Sequence, residues 1–368
     1  MCEVASIFGE NSIRPFVRRC LAPLLLLFTM FQVNAVSAQE AVAPAGAATN
    51  AAMRYVIYYN SDASPPTSLL GKPYSHVILS FITAPARLPT EAPIKVVVPG
   101  KLTAALDAVA SLQAEGKKVL ISFGGGDMQL ADYVGVANRE TELAAAIASF
   151  VGEHGFDGVD IDFEGSQALY LKRPSGIFNG RKFLIDLTTA LRSRLPQGAL
   201  LTHVPQAPYP DPSWQGGPYL DVLREVGDMI DWITVQYYNN PTYDAPVAPN
   251  IVGHMKSPVP WSYTGLVLGA GGFAWSPEKL LVGLPVYRDD AANGHLAPRV
   301  VGKDVVCPLL KKFGNAFGGL TGWQFSTLTR DHRYWNKQMT TSLTGGTCPR
   351  KRAVIKLRGL EGPLYAGS

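Results

Sequence analysis

Residues 155–165 read GFDGVDIDFEG. Side chains alternate across a β-strand, so Val159, Ile161 and Phe163 share one face, and Asp160, Asp162 and Glu164 share the other. The apolar face suits a barrel–helix interface, which turns the three carboxylates into a barrel interior. Glu164 comes last, at the C-terminal rim where barrel enzymes react. Desolvation and mutual repulsion of three acids on a buried face oppose ionisation and raise at least one pKa. That is how a glutamic acid keeps its proton to act as general acid near neutral pH. The competing readings are a strand end facing water and a calcium site, the latter usually recruiting more oxygen ligands from loops.

The rest of the chain alternates in the same way. Strand-like apolar runs occur at Tyr55–Tyr59, His76–Ile82, Lys118–Phe123, Gly158–Glu164, Leu200–Val204, Trp232–Tyr238, Leu281–Val286 and Leu320–Phe325. Helical patterns fall between many of them, at Leu102–Glu115, Glu140–His154, Lys182–Leu195 and Pro218–Val226. The Pro- and Gly-rich stretch 240–280 carries no clear helix. Eight strands separated by crossovers predict an α/β protein, a single (β/α)8 TIM barrel over 53–348. The competitor is an open doubly wound sheet. No GxGxxG follows the first strand, however, and Gly124-Gly125-Gly126 lacks the Lys-Ser/Thr of a phosphate loop.

Residues 1–38 read as a secretion signal: Arg14, Arg18 and Arg19, the apolar run Leu21–Val33, then Val36-Ser37-Ala38. That run is short of the roughly 20 residues that span a bilayer; an uncleaved anchor is the alternative. Residues 39–52 form an Ala-rich linker and 349–368 a basic tail. Of four cysteines, Cys2 and Cys20 leave with the signal. Cys307 and Cys348 remain, and in an exported chain they suggest one disulfide; two buried free thiols are the other reading. The formal charge of +4 also divides unevenly, with +1 in the signal and +4 in the tail, leaving the body near −1. A basic, nucleic-acid-binding body is thereby unsupported. The expected location is extracellular or periplasmic, and the tail is a candidate contact with anionic surface polymers.

Residues two apart on a strand lie roughly 6.6 Å apart on one side, whereas a carboxylate nucleophile and its acid partner must flank a glycosidic bond roughly 5–5.5 Å apart. A nucleophile from the substrate itself is compatible with the spacing, which does not establish it. At this point GFDGVDIDFE resembles the DxxDxDxE signature of glycoside hydrolase family 18, the chitinases, complete as Asp157, Asp160, Asp162 and Glu164. Lys118–Gly125 (KVLISFGG) is similar to the family's SxGG. Leu201–Asp211 (LTHVPQAPYPD) and Val235–Pro241 (VQYYNNP) resemble segments of the plant class III chitinases and related microbial enzymes. Gly322-Trp323 stands where the family places a strand-8 tryptophan.

The resemblance implies that Glu164 protonates the glycosidic oxygen. It implies that Asp162 orients the 2-acetamido group, whose carbonyl attacks the anomeric carbon with retention, and that Tyr238 hydrogen-bonds that carbonyl. Asp160 sits deeper and shares a proton with Asp162, supported by Ser122. Trp323 forms the apolar floor; Gln236, Asn239 and Ser122 complete the substrate-binding set. Asp157, of opposite parity, reads as structural, and His203 as packing. Trp214, Trp261 and Trp275 fall in presumed loops and are candidates for stacking on sugars, while Trp232 reads as core. The first strand lacks the glycine pattern of the plant subgroup, and Cys307–Cys348 does not match its disulfides. No cofactor or metal is implied. The partner is chitin or an N-acetylglucosamine oligosaccharide, with no nucleic acid, no membrane span after signal removal, and a monomer. About 33 residues separate strands 7 and 8, too few for the subdomain some members insert, so a shallow groove and endo-type cleavage are expected. Alternatives are an endo-β-N-acetylglucosaminidase acting on N-glycan cores and a non-catalytic chitin-binding lectin.

Overall fold

The computed structural model describes residues 53–348, apart from 61–63, 86–87, 90, 245–247, 254–256, 329 and 347. The expected signal (1–38), linker (39–52) and basic tail (349–368) lie outside the described residues. Eight parallel strands close a barrel in chain order: β1 Arg54–Tyr59, β2 His76–Ile82, β3 Lys118–Gly124, β4 Gly158–Asp162, β5 Leu200–His203, β6 Trp232–Gln236, β7 Leu280–Pro285 and β8 Gly319–Trp323. The pairing of β8 with β1 excludes the open sheet.

The outward faces of the strands bury Val159, Ile161, Leu201, Ile233 and Val282 against helices such as Glu140–Glu153 and Gly180–Arg194. Inside, Val56, Ile78, Leu120, Leu281 and Trp232 form a second apolar core. Arg54 lies 4.7 Å above the Trp232 ring, and His76 meets it edge-on at 5.0 Å, so this tryptophan plugs the N-terminal end. Polar residues take over higher up. Thr234 and Thr321 bond across the barrel at 3.0 Å, and above them come Asp160 and Asp162.

The structure departs from the sequence reading at element ends. β4 stops at Asp162, and Glu164 lies in the turn beyond it. The cause is Gly124-Gly125. Both have positive φ, and a Cβ at Gly124 would sit 2.0 Å from the Asp162 carbonyl oxygen. The chain there curls away from the sheet, Gly125 N donating to that oxygen at 2.9 Å, a turn open only to glycine. β6 likewise ends at Gln236, short of Tyr238. The pattern at 102–115 is two helices, Gly100–Leu106 and Val109–Ala114, separated at Asp107, a poor residue in a helix interior. Within 240–280 the described residues form two short α-helices, Ala248–Val252 and Tyr263–Leu268, and a 3-10 turn at Pro277–Lys279. Tyr263–Leu268 is capped by the Ser262 hydroxyl accepting from Gly265 N at 3.0 Å, and Gly269 ends it in the left-handed region.

Cys307 and Cys348 are disulfide-bonded, with Cα atoms 5.2 Å apart and a sequence separation of 41, which settles the question of free thiols. The bond ties helix Cys307–Phe313 to the chain just past the last helix, Arg330–Leu343. Loop closure over that length restricts the unfolded chain by about 4 kcal/mol in the entropic account. Cys307→Ser is therefore expected to lower the melting temperature measured without reductant, by about 2–4 °C for each kcal/mol lost.

Candidate active site

The site begins with what surrounds Asp160. In the sheet it is flanked by Ser122 on β3 and Thr202 on β5. It accepts three hydroxyl hydrogen bonds, from Ser122 at 2.8 Å, Thr202 at 2.6 Å and Tyr58 on β1 at 2.8 Å. Burial still pushes its pKa up to about 6, the three donors opposing that rise. Hydroxyls that donate here leave little room for a cation, which argues against the calcium reading. Among the described residues no group of three His, Cys, Asp or Glu is placed to hold a metal ion.

Asp162 is one step higher and also buried. Burial first, then the charges of Glu164 and Asp160, holds its pKa well above the carboxylate range. Its Oδ1 accepts from Gln236 Nε2 at 3.0 Å, and the same nitrogen donates to the Val204 carbonyl at 2.9 Å. Gln236 also lowers the Glu164 pKa through a hydrogen bond, so the amide sits between the two acids. Glu164 is raised by burial, and further by the charge of Asp127. Asp127 is exposed and lies 3.6 Å from Lys101. Burial thus favours the protonated form of all three acids, and the charges of Glu164 and Asp160 add to it at Asp162.

Tyr238 lies just beyond β6, buried but for a few per cent of its surface. Burial and the charges of Asp162, Glu164 and Asp160 hold its pKa well above 10, so it is a hydroxyl donor at any working pH. That hydroxyl makes no hydrogen bond with a described residue, leaving it available to a ligand. Trp323 ends β8, its ring edge-on to Tyr58 at 5.6 Å and tilted against Phe81 at 5.7 Å. Its indole N–H donates to the Asp290 carbonyl at 2.9 Å. The ring is only half-buried, an apolar surface at the mouth.

Two members of the expected substrate-binding set are placed otherwise. Ser122 is fully buried and spends its hydroxyl on Asp160, so it supports that carboxylate and cannot touch a ligand. Asn239, in the left-handed region, accepts from Ala292 N at 2.9 Å, and its own N donates to Asn293 Oδ1 at 2.8 Å. It therefore ties the end of the β6 segment to the loop after β7. Asp157 accepts from Val119 N at 2.9 Å and Gln113 Nε2 at 2.8 Å, and pairs with Lys118 at 2.6 Å, a structural tie below the sheet. His203 is buried on the helix side, bonded to the Tyr219 hydroxyl at 2.7 Å and Thr188 at 3.1 Å, and burial holds it neutral with a pKa of about 3. Of the three loop tryptophans, Trp275 precedes β7 and so lies at the end opposite the acids; Trp214 packs on Tyr209 at 5.2 Å and Trp261 on Tyr243 at 4.7 Å.

Sequence reasoning passed over Tyr58, Thr202 and the loop after β7. In YVIYY every residue is apolar or aromatic, so parity cannot single out Tyr58; Thr202 was detectable as the hydroxyl in an otherwise apolar strand. The loop matters because Asp290 receives backbone bonds from Tyr287 N at 2.7 Å and from Gln324, while holding Trp323 by its carbonyl. A Cβ at Gly294 would lie 2.6 Å from the Tyr238 Cα, so this loop seats both Tyr238 and Trp323.

Comparison with known proteins agrees with this geometry. The solved structure of a family 18 chitinase from Pseudoalteromonas aurantia is 32% identical, with a TM-score of 0.66, covering 78% of this chain and 99% of that one. An acidic endochitinase from Punica granatum is 27% identical over 247 residues, 62% of this chain and 71% of that protein. Chitinase D from Niallia circulans is 28% identical over 210 residues, 52% of this chain and 39% of that protein, so the chain spans about two fifths of that relative's length. The family model for glycosyl hydrolases family 18 matches residues 54–343, the whole barrel from β1 to the last helix. The chain belongs to glycosyl hydrolases family 18.

Proposed function

We propose that the protein is a secreted, endo-acting chitinase that cleaves β-1,4 N-acetylglucosamine linkages with retention, the acetamido group of the substrate serving as nucleophile. The observation that carries this reading is the one-sided stack of Asp160, Asp162 and Glu164, with Gln236 between the upper two and the unpartnered Tyr238 hydroxyl beside them. Asp162 at the end of β4 and Glu164 in the turn just beyond it are two residues apart on one chain segment, which favours approach to the sugar from one side and a nucleophile supplied by the substrate. Glu164, whose pKa burial raises, supplies the proton to the leaving oxygen. Asp162 accepts from the acetamido N–H and holds its carbonyl under the anomeric carbon. Tyr238 donates to that carbonyl as positive charge spreads over the acetamido group, and Trp323 supports the ring. Asp160 takes up a proton when Asp162 needs its charge, the three hydroxyls around it adjusting at little cost.

The 33 residues between Pro285 and Gly319 form loop and helix, with no added sheet to wall the cleft, which supports an open groove and internal cleavage. The named relatives act on chitin by their descriptions, in support of that substrate. The test is the product profile on N-acetylglucosamine hexamer, by mass and by anomer. Dimer to tetramer products appearing first as the β-anomer are expected; first-formed α-anomer overturns retention. Release of glycans from a glycoprotein without hexamer cleavage would move the substrate to N-glycan cores.

Two smaller expectations follow from the same groups. Tyr238→Phe removes the hydroxyl that positions the acetamido carbonyl for attack, and kcat should fall by about 10²-fold. Asp127→Asn removes a charge that raises Glu164. The alkaline limb of the kcat/KM profile, which reports loss of the Glu164 proton, should then move to lower pH, and added salt should mimic this in the wild type.

A further inference from the structure

Trp323 packs against the rings of Tyr58 and Phe81, and its hydrogen bonds run to a short stretch of the loop after β7. Val286 N donates to the Trp323 carbonyl at 2.6 Å, and the indole N–H donates to the Asp290 carbonyl at 2.9 Å. The Asp290 carboxylate in turn accepts from Gln324 N, the next peptide along, and from Tyr287 N at 2.7 Å. Asp290 therefore meets this segment twice, by its carbonyl at the ring and by its side chain at the backbone just past it. In Arg288-Asp289-Asp290 the first two residues are exposed, whereas Asp290 is half-buried. Burial raises its pKa to about 6, the two N–H donors opposing that rise and the charge of Asp289 adding to it. At neutral pH it carries its charge.

We infer that Asp290 is a positioning residue for the reaction: its carboxylate locks the turn 287–290 to the chain after Trp323, and the turn so placed aims a carbonyl at the indole. The inference rests on the glycosidase reading above, in which Trp323 lies beneath the sugar under attack. Ring contacts permit more than one tilt, whereas an indole has one N–H donor, so its bond to the Asp290 carbonyl sets how the ring is turned. The far end of the loop is tied separately, Ala292 N donating to Asn239 Oδ1 and Asn239 N to Asn293 Oδ1. Loss of the Asp290 carboxylate thus loosens the floor while the Tyr238 segment stays held. Bonds from backbone N–H groups to a carboxylate are charge-assisted and roughly twice as strong as neutral ones. An amide at this position keeps the shape and only part of the hold.

The first readout is the fluorine NMR spectrum of the protein carrying 5-fluorotryptophan. The chain has six tryptophans, and the resonance missing from Trp323→Ala identifies Trp323. In Asp290→Ala that resonance should move or broaden while the others stay, which also shows that the barrel has folded. The second readout is kcat/KM for N-acetylglucosamine tetramer. It should fall by about tenfold in Asp290→Ala and by about threefold in Asp290→Asn, the near-isosteric variant that keeps the test alive if alanine prevents folding. In the Trp323→Ala background, Asp290→Ala should cost less than about twofold, because the ring it places is gone. An unmoved Trp323 resonance, or equal losses with and without the tryptophan, overturns the inference. Wild-type protein that turns over no tetramer overturns the glycosidase reading instead, and the resonance then still reports whether Asp290 holds the ring.

Discussion

The Glu164→Gln protein is expected to fold as the wild type does and to lose turnover of chitin oligomers by about 10²–10⁴-fold in kcat, the span assigned to a positioned proton donor. The amide has the same shape, and it can still bond to Gln236, the group that now sits between the two upper acids. What it lacks is a transferable proton, which burial favours on the carboxyl by raising its pKa. Oligomer binding should survive, so KM or a directly measured Kd changes little while kcat collapses, the signature of an interaction made in the transition state. A leaving group that needs no proton gives a sharper control. β-Chitobiosyl fluoride should recover a large part of the lost rate relative to tetramer, because fluoride departs without acid help. Full activity on tetramer in this variant would remove Glu164 from the reaction and with it the proposed chemistry. Equal losses on both substrates would show that the side chain positions the sugar instead of protonating its leaving oxygen.

The period-two pattern of GFDGVDIDFEG carried most of what the sequence disclosed, and its reason is physical. A strand buried on both faces has no cause to place acids at alternate positions unless they are used, and the structure indeed points Asp160 and Asp162 inward while Val159 and Ile161 meet the helices. The eight strands were legible for the same reason, as short apolar runs between helix patterns. Their ends were not. β4 and β6 stop early because neighbouring glycines and loops compete for the backbone, as Gly124 does against Asp162, and that contact is between segments about 40 residues apart in the chain. The cage around Asp160 illustrates the same limit. Ser122, Thr202 and Tyr58 come from three strands, and only ring closure, which sets β1 beside β8 and thus across from β4, brings Tyr58 within 2.8 Å. The tie from Asn239 to the loop after β7 is likewise absent from the sequence pattern, because a positive φ turns its Oδ1 toward Ala292. Parity within a strand is readable from sequence; what a residue meets once the strand has ended depends on loops from elsewhere.

Asp162→Asn should separate function from stability. Activity is expected to fall by about 10²–10³-fold, since an amide cannot carry the charge that strengthens its hold on the acetamido N–H as that group becomes cationic. Stability at neutral pH should move the other way. The Asp162 pKa is raised in the folded protein by burial and by its two acidic neighbours, so the folded state favours the protonated form. A group raised in this way contributes its full stability below its unfolded pKa, near 3.9, and that contribution is lost as pH rises through the folded value. The substituted amide is neutral throughout and keeps an acceptor for Gln236, which now stands 3.0 Å from Oδ1. Its melting temperature should therefore exceed that of the wild type at pH 7–8, by roughly 2–4 °C for each kcal/mol recovered, and the gap should close toward pH 4. Asp160, raised by burial to about 6, contributes a slope of the same sign in both proteins. A lower melting temperature for the variant at neutral pH would mean that the Asp162 charge is needed by the fold. A higher one, together with the loss of turnover, would show that the barrel tolerates a buried charge at its mouth for the reaction it performs there.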